Sequence, residues 1–215
     1  MKLLLGLDIG TTAMKIALFD RTGALLAVST QEYDLLTPAP NYVEEKPEVY
    51  WDAFCIGLKD IKSRYTIAKD AQISLAMSAQ GETIFFLDKD GRPLRNAIVW
   101  MDNRAVREAE MLKEAFGNAE CYQKTGQVSF EACWPASKIL WVREHEPEVF
   151  QNTDKFLLIE GLLYLQADRE NMPQSHLLSA PPPTGILLKE VTGRRCWIFW
   201  ESRNHSLPLS GNPGR

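Results

Sequence analysis

The chain has 215 residues, of which 45% are hydrophobic and 10% aromatic, so it carries enough apolar side chains for one large or two small globular domains. Its formal net charge of −4 comes from interspersed acidic and basic residues, which argues against nucleic acid or an anionic membrane as a partner. The cysteines form neither a zinc motif nor a disulfide framework, which predicts a reducing, cytoplasmic location.

The first elements are predicted to be three consecutive antiparallel strands. Residues 2–9 (KLLLGLDI) and 15–20 (KIALFD) are apolar runs separated by GTTAM, and 25–35 (LLAVSTQEYDL) alternates well enough for a third strand. Asp8 interrupts the apolar start too early for a signal peptide, and no apolar run reaches the roughly 18 residues of a membrane span. Apolar residues at helical spacing then predict an amphipathic helix within 44–65, with Pro47 in its first turn.

The middle of the chain alternates strands and helices. Strands are predicted at 72–79 (QISLAMSA) and 97–102 (AIVWMD), with a hairpin-like extension in TIFFLD and DKDGRPL between them. A helix is predicted over 103–116, closed by Gly117 as its C-cap, and further helices in CYQKTG, ASKILWVREHEPEVF and KFLLIEGLLYL. This order of elements predicts an α/β or α+β fold. Beyond about residue 165 no period is visible, and we expect an irregular tail.

The stretch GLDIGTTAMKIALFD at residues 6–20 places a short turn between two buried strands. Backbone N–H groups at Gly10, Thr11 and Thr12, together with the two hydroxyls, are suited to an anion, and Asp8 is suited to a divalent cation, bound directly or through water. The pattern predicts a phosphate and metal clamp. The alternative is a plain hairpin whose threonines merely favour strands, and for Lys15 the alternatives are phosphate binding and a solvated strand lysine.

This stretch resembles the first phosphate motif of the actin/hexokinase superfamily, and in particular that of the FGGY carbohydrate kinases. Later segments are similar to the family's motifs in the same order, namely NYVEEKPEVYWDAF, SAQGET, NAIVWMDNRA, TGQVSFEACWPASKILWVREHEPEVF and DKFLLIE. The resemblance is greatest to xylulokinase-type members. It implies an incomplete RNase H-like (actin-like ATPase superfamily) N-terminal domain over residues 1–165, with a mixed sheet flanked by helices, and a non-homologous, disordered tail over 166–215.

The resemblance also implies a reaction, which is transfer of the ATP γ-phosphoryl group to a hydroxyl of a sugar, a xylulose-like ketose or a related sugar or polyol. ATP and Mg²⁺ are the implied cofactors. Asp8 would belong to the metal shell, and Gly10, Thr11, Thr12 and Lys15 would bind the ATP phosphates. The implied partner is a small-molecule sugar, and the family allows a homodimer for its full-length members.

Sugar binding is implied for two of the matching segments. The residues are Gln80, Gly81 and Glu82 in SAQGET and Trp100, Asp102 and Arg104 in NAIVWMDNRA. An indole face can stack on the apolar side of a polyol while the carboxylates and the guanidinium bind its hydroxyls or one another. A solvated turn carboxylate is the alternative for Glu82, and a core side chain is the alternative for Trp100.

No catalytic residue is assigned in this chain. In the family, the general-base aspartate and the adenine pocket belong to a second domain with a GGGDN-like or GDQ-like segment, and no such segment occurs here. Because the parts of such a site act as a unit, we expect weak or no activity from this chain. The alternative function is a non-catalytic sugar- or phosphate-binding actin-like module; a chaperone or cytoskeletal ATPase would not need QGET and WMDNR.

The tail suggests a hypothesis about its origin. When the codons of CWIFWE at 196–201 are read in a frame shifted by two nucleotides, they must encode Leu, Asp, then Phe, Leu or Ile, then Leu and Gly. This shifted peptide resembles a segment of the same family. We therefore expect that one or more frameshifts near residue 165 replaced the rest of a sugar kinase. The nucleotide sequence through that codon tests this expectation.

Overall fold

The structure is a computed structural model that describes residues 1–169 and the short segments 186–187, 196–200 and 205–209. Its strands are β1 (Lys2–Ile9), β2 (Ala13–Asp20), β3 (Leu25–Glu32), β4 (Glu44–Glu45), β5 (Gln72–Ala79), β6 (Phe85–Leu87), β7 (Ala97–Ile98), β8 (Lys155–Leu157), β9 (Ile186–Leu187), β10 (Cys196–Trp200) and β11 (His205–Leu209). Its helices are α1 (Glu48–Arg64), α2 (Val106–Thr125), α3 (Pro135–His145), α4 (Pro147–Asn152) and α5 (Ile159–Arg169).

Contacts divide the chain into two compact units. Unit 1 comprises Met1–Leu35, Pro47–Gly81 and Ile159–Pro182, and unit 2 comprises Leu36–Lys46, Glu82–Leu158 and Pro183–Arg215. Strands and helices mix in both units, which confirms the α/β class that the resemblance implies, one of the two classes that the order of elements predicted.

Unit 1 is built on a four-stranded mixed sheet in the order β3-β2-β1-β5, in which β1 runs antiparallel to β2 and parallel to β5. Alternate β1 residues, from Leu3 to Ile9, are buried, as strand geometry requires when one face covers a core. Helix α1 packs on strands β2 and β3. A Cβ added at Gly57 would lie 2.4 Å from Ile16 Cδ1, so the glycine lets the helix approach the sheet closely.

Unit 2 contains two antiparallel two-stranded pairs, β4 with β7 and β6 with β8, together with helices α2, α3 and α4. Its main core cluster contains side chains from β6, β7, β8, α3 and α4 and from the segments next to them. They are Ile84, Phe86, Ile98, Ala105, Ile139, Trp141, Val142, Phe150 and Phe156. The Phe86 and Phe156 rings meet edge to face at 5.2 Å, which fixes the β6–β8 pair within this core.

Several predicted elements are confirmed with their bounds. Strands β1 and β5 occupy the predicted residues 2–9 and 72–79, and the first three strands form an antiparallel series. Helix α1 lies within the predicted 44–65, but it begins at Glu48, so Pro47 is its N-cap and not, as predicted, part of its first turn. These segments carry the strongest periodicity in the sequence.

Three predictions in unit 2 were wrong in detail. Gly117 does not end its helix, because α2 continues after a break there (φ 72°, ψ 157°) to Thr125 and is capped by Gly126 at φ 76°. The strand predicted over 97–102 ends at Ile98, since Asp102 N donates to Val99 O at 3.0 Å and closes a turn. The start of KFLLIEGLLYL is strand β8, because it pairs with β6.

The tail lies largely outside the described residues. The three strands described there pair antiparallel in the order β11-β10-β9, so the expectation of an irregular segment was wrong at these residues. The remainder of the tail, on which the expectation of an irregular, disordered segment falls, is outside the part of the chain that the structure describes. Within the described part, no helix is long and apolar enough to cross a membrane.

Candidate phosphate and sugar sites

The predicted phosphate turn is a three-residue loop of unit 1, Gly10–Thr12, between the end of β1 and the start of β2. Gly10 N donates to Ala13 O at 2.9 Å. A Cβ added at Gly10 would lie 3.2 Å from that same oxygen, which is tighter than ordinary contact. The glycine therefore allows the chain to turn this sharply. Its own N–H is used within the turn, so the prediction that this N–H is available to an anion was wrong.

Tyr33, just beyond β3, holds the turn from one side. Its hydroxyl donates to Gly10 O at 2.6 Å, and its backbone N–H donates to Thr12 O at 2.9 Å. Two carbonyls of the turn are thus satisfied within the protein. The turn is thus fixed by Tyr33, and Thr12 is exposed.

Asp8 and Lys15 are register partners on β1 and β2, and Asp8 is also aligned with Ser78 on β5. Directly paired residues of neighbouring strands share a sheet face, and all three of these side chains are exposed. A carboxylate and an amine therefore lie on one open face beside the turn. This is the arrangement that the predicted metal and phosphate roles require.

The residues present fit Mg²⁺ only if waters and substrate phosphates supply most of its ligands. Among the described residues, no group of three or more His, Cys, Asp or Glu side chains is placed to hold a metal. Mg²⁺ in proteins commonly uses one or two carboxylates together with waters and substrate phosphates. Asp8 is exposed at the end of β1 and fits that mode. The chemistry therefore suits a cation that arrives with a nucleotide.

Gln80 follows β5 in unit 1 and is anchored to the same sheet. Its N–H donates to Ile9 O at 2.8 Å, and its Nε2 donates to Tyr50 Oη at 3.2 Å. Its Oε1 is buried without a hydrogen-bond partner among the described residues. Gly81, the next residue, is exposed, and an added Cβ there would meet nothing within 4 Å.

Glu82 begins the second stretch of unit 2 in a left-handed conformation, with φ 65°. Its side chain is partly buried, and burial raises the pKa of its carboxyl, opposed by the charge of Lys138. Its Oε2 is buried and has no hydrogen-bond partner among the described residues. A buried acceptor without a partner normally costs stability, so this carboxylate is a good candidate for a ligand hydroxyl.

Trp100 stands outside the core of unit 2, since 41% of it is exposed. Its backbone N–H donates to Thr83 Oγ1 at 3.1 Å, which holds the segment in place. Trp100 is therefore not a core side chain, contrary to the core alternative, and its contact with a sugar stays a prediction.

Asp102 and Arg104 are both buried and contact each other. Asp102 is 0% exposed, and its Oδ1 accepts from Arg104 Nε at 2.9 Å while its Oδ2 accepts from Val43 N at 2.6 Å. Arg104 Nη2 also donates to Glu44 Oε1 at 2.8 Å. Burial alone would lower the pKa of Arg104, but Asp102 and Glu44 raise it. These two predicted sugar-site residues thus have internal partners, and their contact with substrate stays a prediction.

The same cluster includes residues that the sequence patterns did not single out. Arg95 bridges Glu44 and Glu146, with both N–O distances 2.6 Å. The Arg104 guanidinium carbon lies 3.9 Å from the Tyr42 ring centroid and 4.9 Å from that of Trp141. These residues are far apart in sequence, so no local spacing marks them. Their aromatic and ionic contacts fix the loop that carries Trp100.

The sequence analysis also missed Lys138, although the sequence around this lysine contained a signal. It lies in a helical stretch, Ser137–Val142, in which every residue is buried. A lysine inside such an apolar run is unusual, because amines are rarely buried without partners. Its contacts are described below.

The model of the FGGY family of carbohydrate kinases, N-terminal domain, matches residues 3–168 of this chain. Among curated relatives, the chain is 31% identical to the xylulose kinase of Escherichia coli over 166 residues, covering 77% of this chain and 33% of that protein. It is 34% identical to the glycerol kinase of Thermococcus kodakarensis over 154 residues, covering 72% and 31%. The chain thus spans about a third of the length of these relatives.

Solved structures agree with the sequence relatives. A ligand-bound xylulose kinase and a gluconate kinase, both from Lactobacillus acidophilus, each superpose with a TM-score of 0.70 at 28% identity and cover 77% of this chain and 33% of theirs. These sugar kinases have the actin-like ATPase fold, as the described part of this chain does. Since the family model accounts for most of its residues, the chain belongs to the FGGY family of carbohydrate kinases and corresponds to their N-terminal domain.

Proposed function

We propose that this chain carries the phosphate-binding turn and the sugar-binding loops of an ATP-dependent carbohydrate kinase, which transfers the γ-phosphoryl group to a hydroxyl of a ketose or polyol. The observation that carries the proposal is the Gly10–Thr12 turn, held by Tyr33 and flanked on one open sheet face by Asp8 and Lys15. Phosphoryl transfer depends mostly on positioning and charge neutralisation, and these residues supply both.

In this proposal, unit 1 binds the nucleotide phosphates. The hydroxyls of Thr11 and Thr12 and the backbone around them bind phosphate oxygens, while Lys15 supplies a positive charge. Asp8 holds Mg²⁺, which neutralises charge on the phosphates when it is bound. The general base is not assigned to any residue of this chain.

Unit 2 contributes the sugar contacts. The Trp100 indole offers an exposed face, and the Glu82 carboxylate offers a buried oxygen that lacks a partner among the described residues. Gln80 and Gly81 precede this carboxylate in the same SAQGET segment. The relatives are named for xylulose and glycerol, which supports a small ketose or polyol as the substrate of this chain too. The cysteine usage supports a cytoplasmic location.

Binding of Mg-ATP tests the phosphate half. Amide signals of residues 10–13 are followed by NMR during a titration, with Asp8→Asn as the variant and Asp70→Asn, which changes another exposed aspartate, as the matched control. We expect the turn's signals to move in the wild type and in Asp70→Asn and to move far less in Asp8→Asn. Unmoved turn signals in the wild type would overturn the phosphate assignment.

Phosphoryl transfer itself is tested with the chain alone and with a fusion to the part of the Escherichia coli xylulose kinase that lies beyond the matching region. We expect turnover of xylulose or glycerol in the fusion and little or none in the chain alone, because transition-state groups act together. Polyol binding with no turnover in a well-folded fusion would instead favour the non-catalytic binding module.

A further inference from the structure

Lys138 in helix α3 is a buried charged side chain for which the proposed chemistry has no use. It is 0% exposed and lies in the first turn of a helix that begins at Pro135. The positive end of the helix dipole disfavours a cation there, and burial disfavours it further. Both effects cost stability, so the amine must make contacts that offset them.

The amine joins two loops of unit 2. Lys138 Nζ donates to Glu82 O at 2.7 Å and to Val99 O at 2.9 Å. The first carbonyl belongs to the left-handed residue that starts the Glu82 turn. The second belongs to the turn that leads into Trp100, where Val99 O also accepts Asp102 N at 3.0 Å.

Other bonds link the same two loops, but they join residues next to Glu82 and not Glu82 itself. Ile84 and Ile98 exchange a pair of backbone hydrogen bonds, each 3.1 Å. Trp100 N donates to Thr83 Oγ1 at 3.1 Å. Among the described contacts, the amine of Lys138 is the link that reaches Glu82 itself. This hydrogen bond therefore helps to fix the position of the Glu82 carboxylate relative to the Trp100 indole.

Burial and four ionisable side chains shift the pKa of the amine. Burial lowers the pKa of Lys138 to about 7, Asp102, Cys133 and Glu82 act in the opposite direction, and Arg104 lowers it further. A neutral amine still has two N–H groups, which is the number needed for the two carbonyls. The contacts thus remain available above neutral pH without a buried charge.

We propose that Lys138 is a positioning residue that holds the Glu82 turn and the Trp100 loop in one relative arrangement, and so determines which polyols fit between the carboxylate and the indole. The contact with polyol rests on the proposed function; the positioning of the two loops does not. No part of the reaction is assigned to the amine itself, which reaches the candidate sugar groups only through main-chain carbonyls.

The test uses two substitutions in the full chain. Lys138→Met and Lys138→Gln both shorten the side chain by one heavy atom. The first removes every donor, whereas the second keeps neutral N–H donors. Lys155→Met, at an exposed lysine of the same unit, is the control. The readout is the hydrogen-exchange protection of the Ile84 and Trp100 amides, compared with that of Gly10 in unit 1.

We expect Lys138→Met to lower the protection of Ile84 and Trp100 by about tenfold, because two hydrogen bonds are lost, and to leave Gly10 unchanged. Lys138→Gln should recover most of the protection. In the wild type, protection should rise between pH 6 and 8 as the amine loses its proton, and in Lys138→Gln it should not. Unchanged protection in Lys138→Met, or the same rise in Lys138→Gln, would overturn the inference.

Should Lys138→Met fail to fold, Lys138→Leu takes its place as the donor-free variant with the same expected outcomes, and the pH comparison of Lys138→Gln with the wild type is a supporting check on the titration of the amine. A parallel titration with glycerol and xylulose, read by tryptophan fluorescence, addresses the polyol. Weaker binding in Lys138→Met with recovery in Lys138→Gln supports the whole proposal. If the wild type binds neither polyol while the exchange pattern is as expected, the proposed function fails and the positioning role stands.

Discussion

The phosphate turn of unit 1 and the ionic cluster of unit 2 use polar residues in opposite ways. Asp8, Thr12 and Lys15 are exposed beside a turn that backbone hydrogen bonds hold in shape. Asp102 and Arg104 are buried and satisfy each other. The comparison teaches that residues of one family's motifs divide into those that are exposed, where a ligand could reach them, and those that hold a loop in shape from within.

The largest expected effect comes from breaking the cluster. Arg104→Met removes one partner and leaves Asp102 and Glu44 buried with less compensation, so the free energy of unfolding should fall by about 3–5 kcal/mol. Arg92→Met is the control, since Arg92 and Asp90 form an exposed pair, and it should cost less than about 1 kcal/mol. Urea unfolding measures both; equal losses would mean that the cluster stabilises no more than a surface pair.

Two tryptophans of unit 2 sharpen the same contrast. Trp141 is 7% exposed and belongs to the core, so Trp141→Ala should lower stability by about 3 kcal/mol or more. Trp100→Ala should cost no more than about 1 kcal/mol, because the indole is exposed and its anchoring hydrogen bond is made by the backbone. Thermal and urea unfolding of the two variants measure the difference, and a large loss in Trp100→Ala would restore the core alternative.

The buried lysine predicts a pH dependence with a defined sign. The pKa of Lys138 is about 7 in the folded protein, whereas the ordinary pKa of a lysine, which applies to the unfolded chain, is 10.5. Between these two pH values the unfolded chain therefore binds more protons than the folded protein. Stability should therefore rise with pH above 7, by up to about 1.4 kcal/mol per pH unit from this group. Urea unfolding at pH 6, 7.5 and 9 measures it, and the rise should be smaller in Lys138→Met. An equal rise in both proteins would contradict this origin.

The smallest effect is expected at the phosphate turn. Asp8→Asn and Lys15→Met change exposed side chains and should alter the free energy of unfolding by less than about 0.5 kcal/mol. A loss above about 2 kcal/mol in either variant would place these residues with the buried cluster and remove the contrast between the two units.

Much of unit 1 could be predicted from local patterns. Strand alternation in β1, helical spacing in α1 and the apolar run of β5 each report burial of one face, so the periodicity by itself located them. Prediction was poorer in unit 2, where Gly117 interrupts a helix that then continues and KFL is a strand because of its pairing with β6. Pairing partners distant in sequence leave no local signal.

The sequence alone determined the family and, through that resemblance, the mixed sheet. It also located the first helix and the residues at the turn, because these depend on local order and spacing. Only the tertiary structure decided that Trp100 is exposed while Asp102 and Arg104 are buried, although all three lie within five residues. It also decided the partners of Lys138. Burial and ion pairing depend on which distant segments come together, and long-range packing sets those contacts.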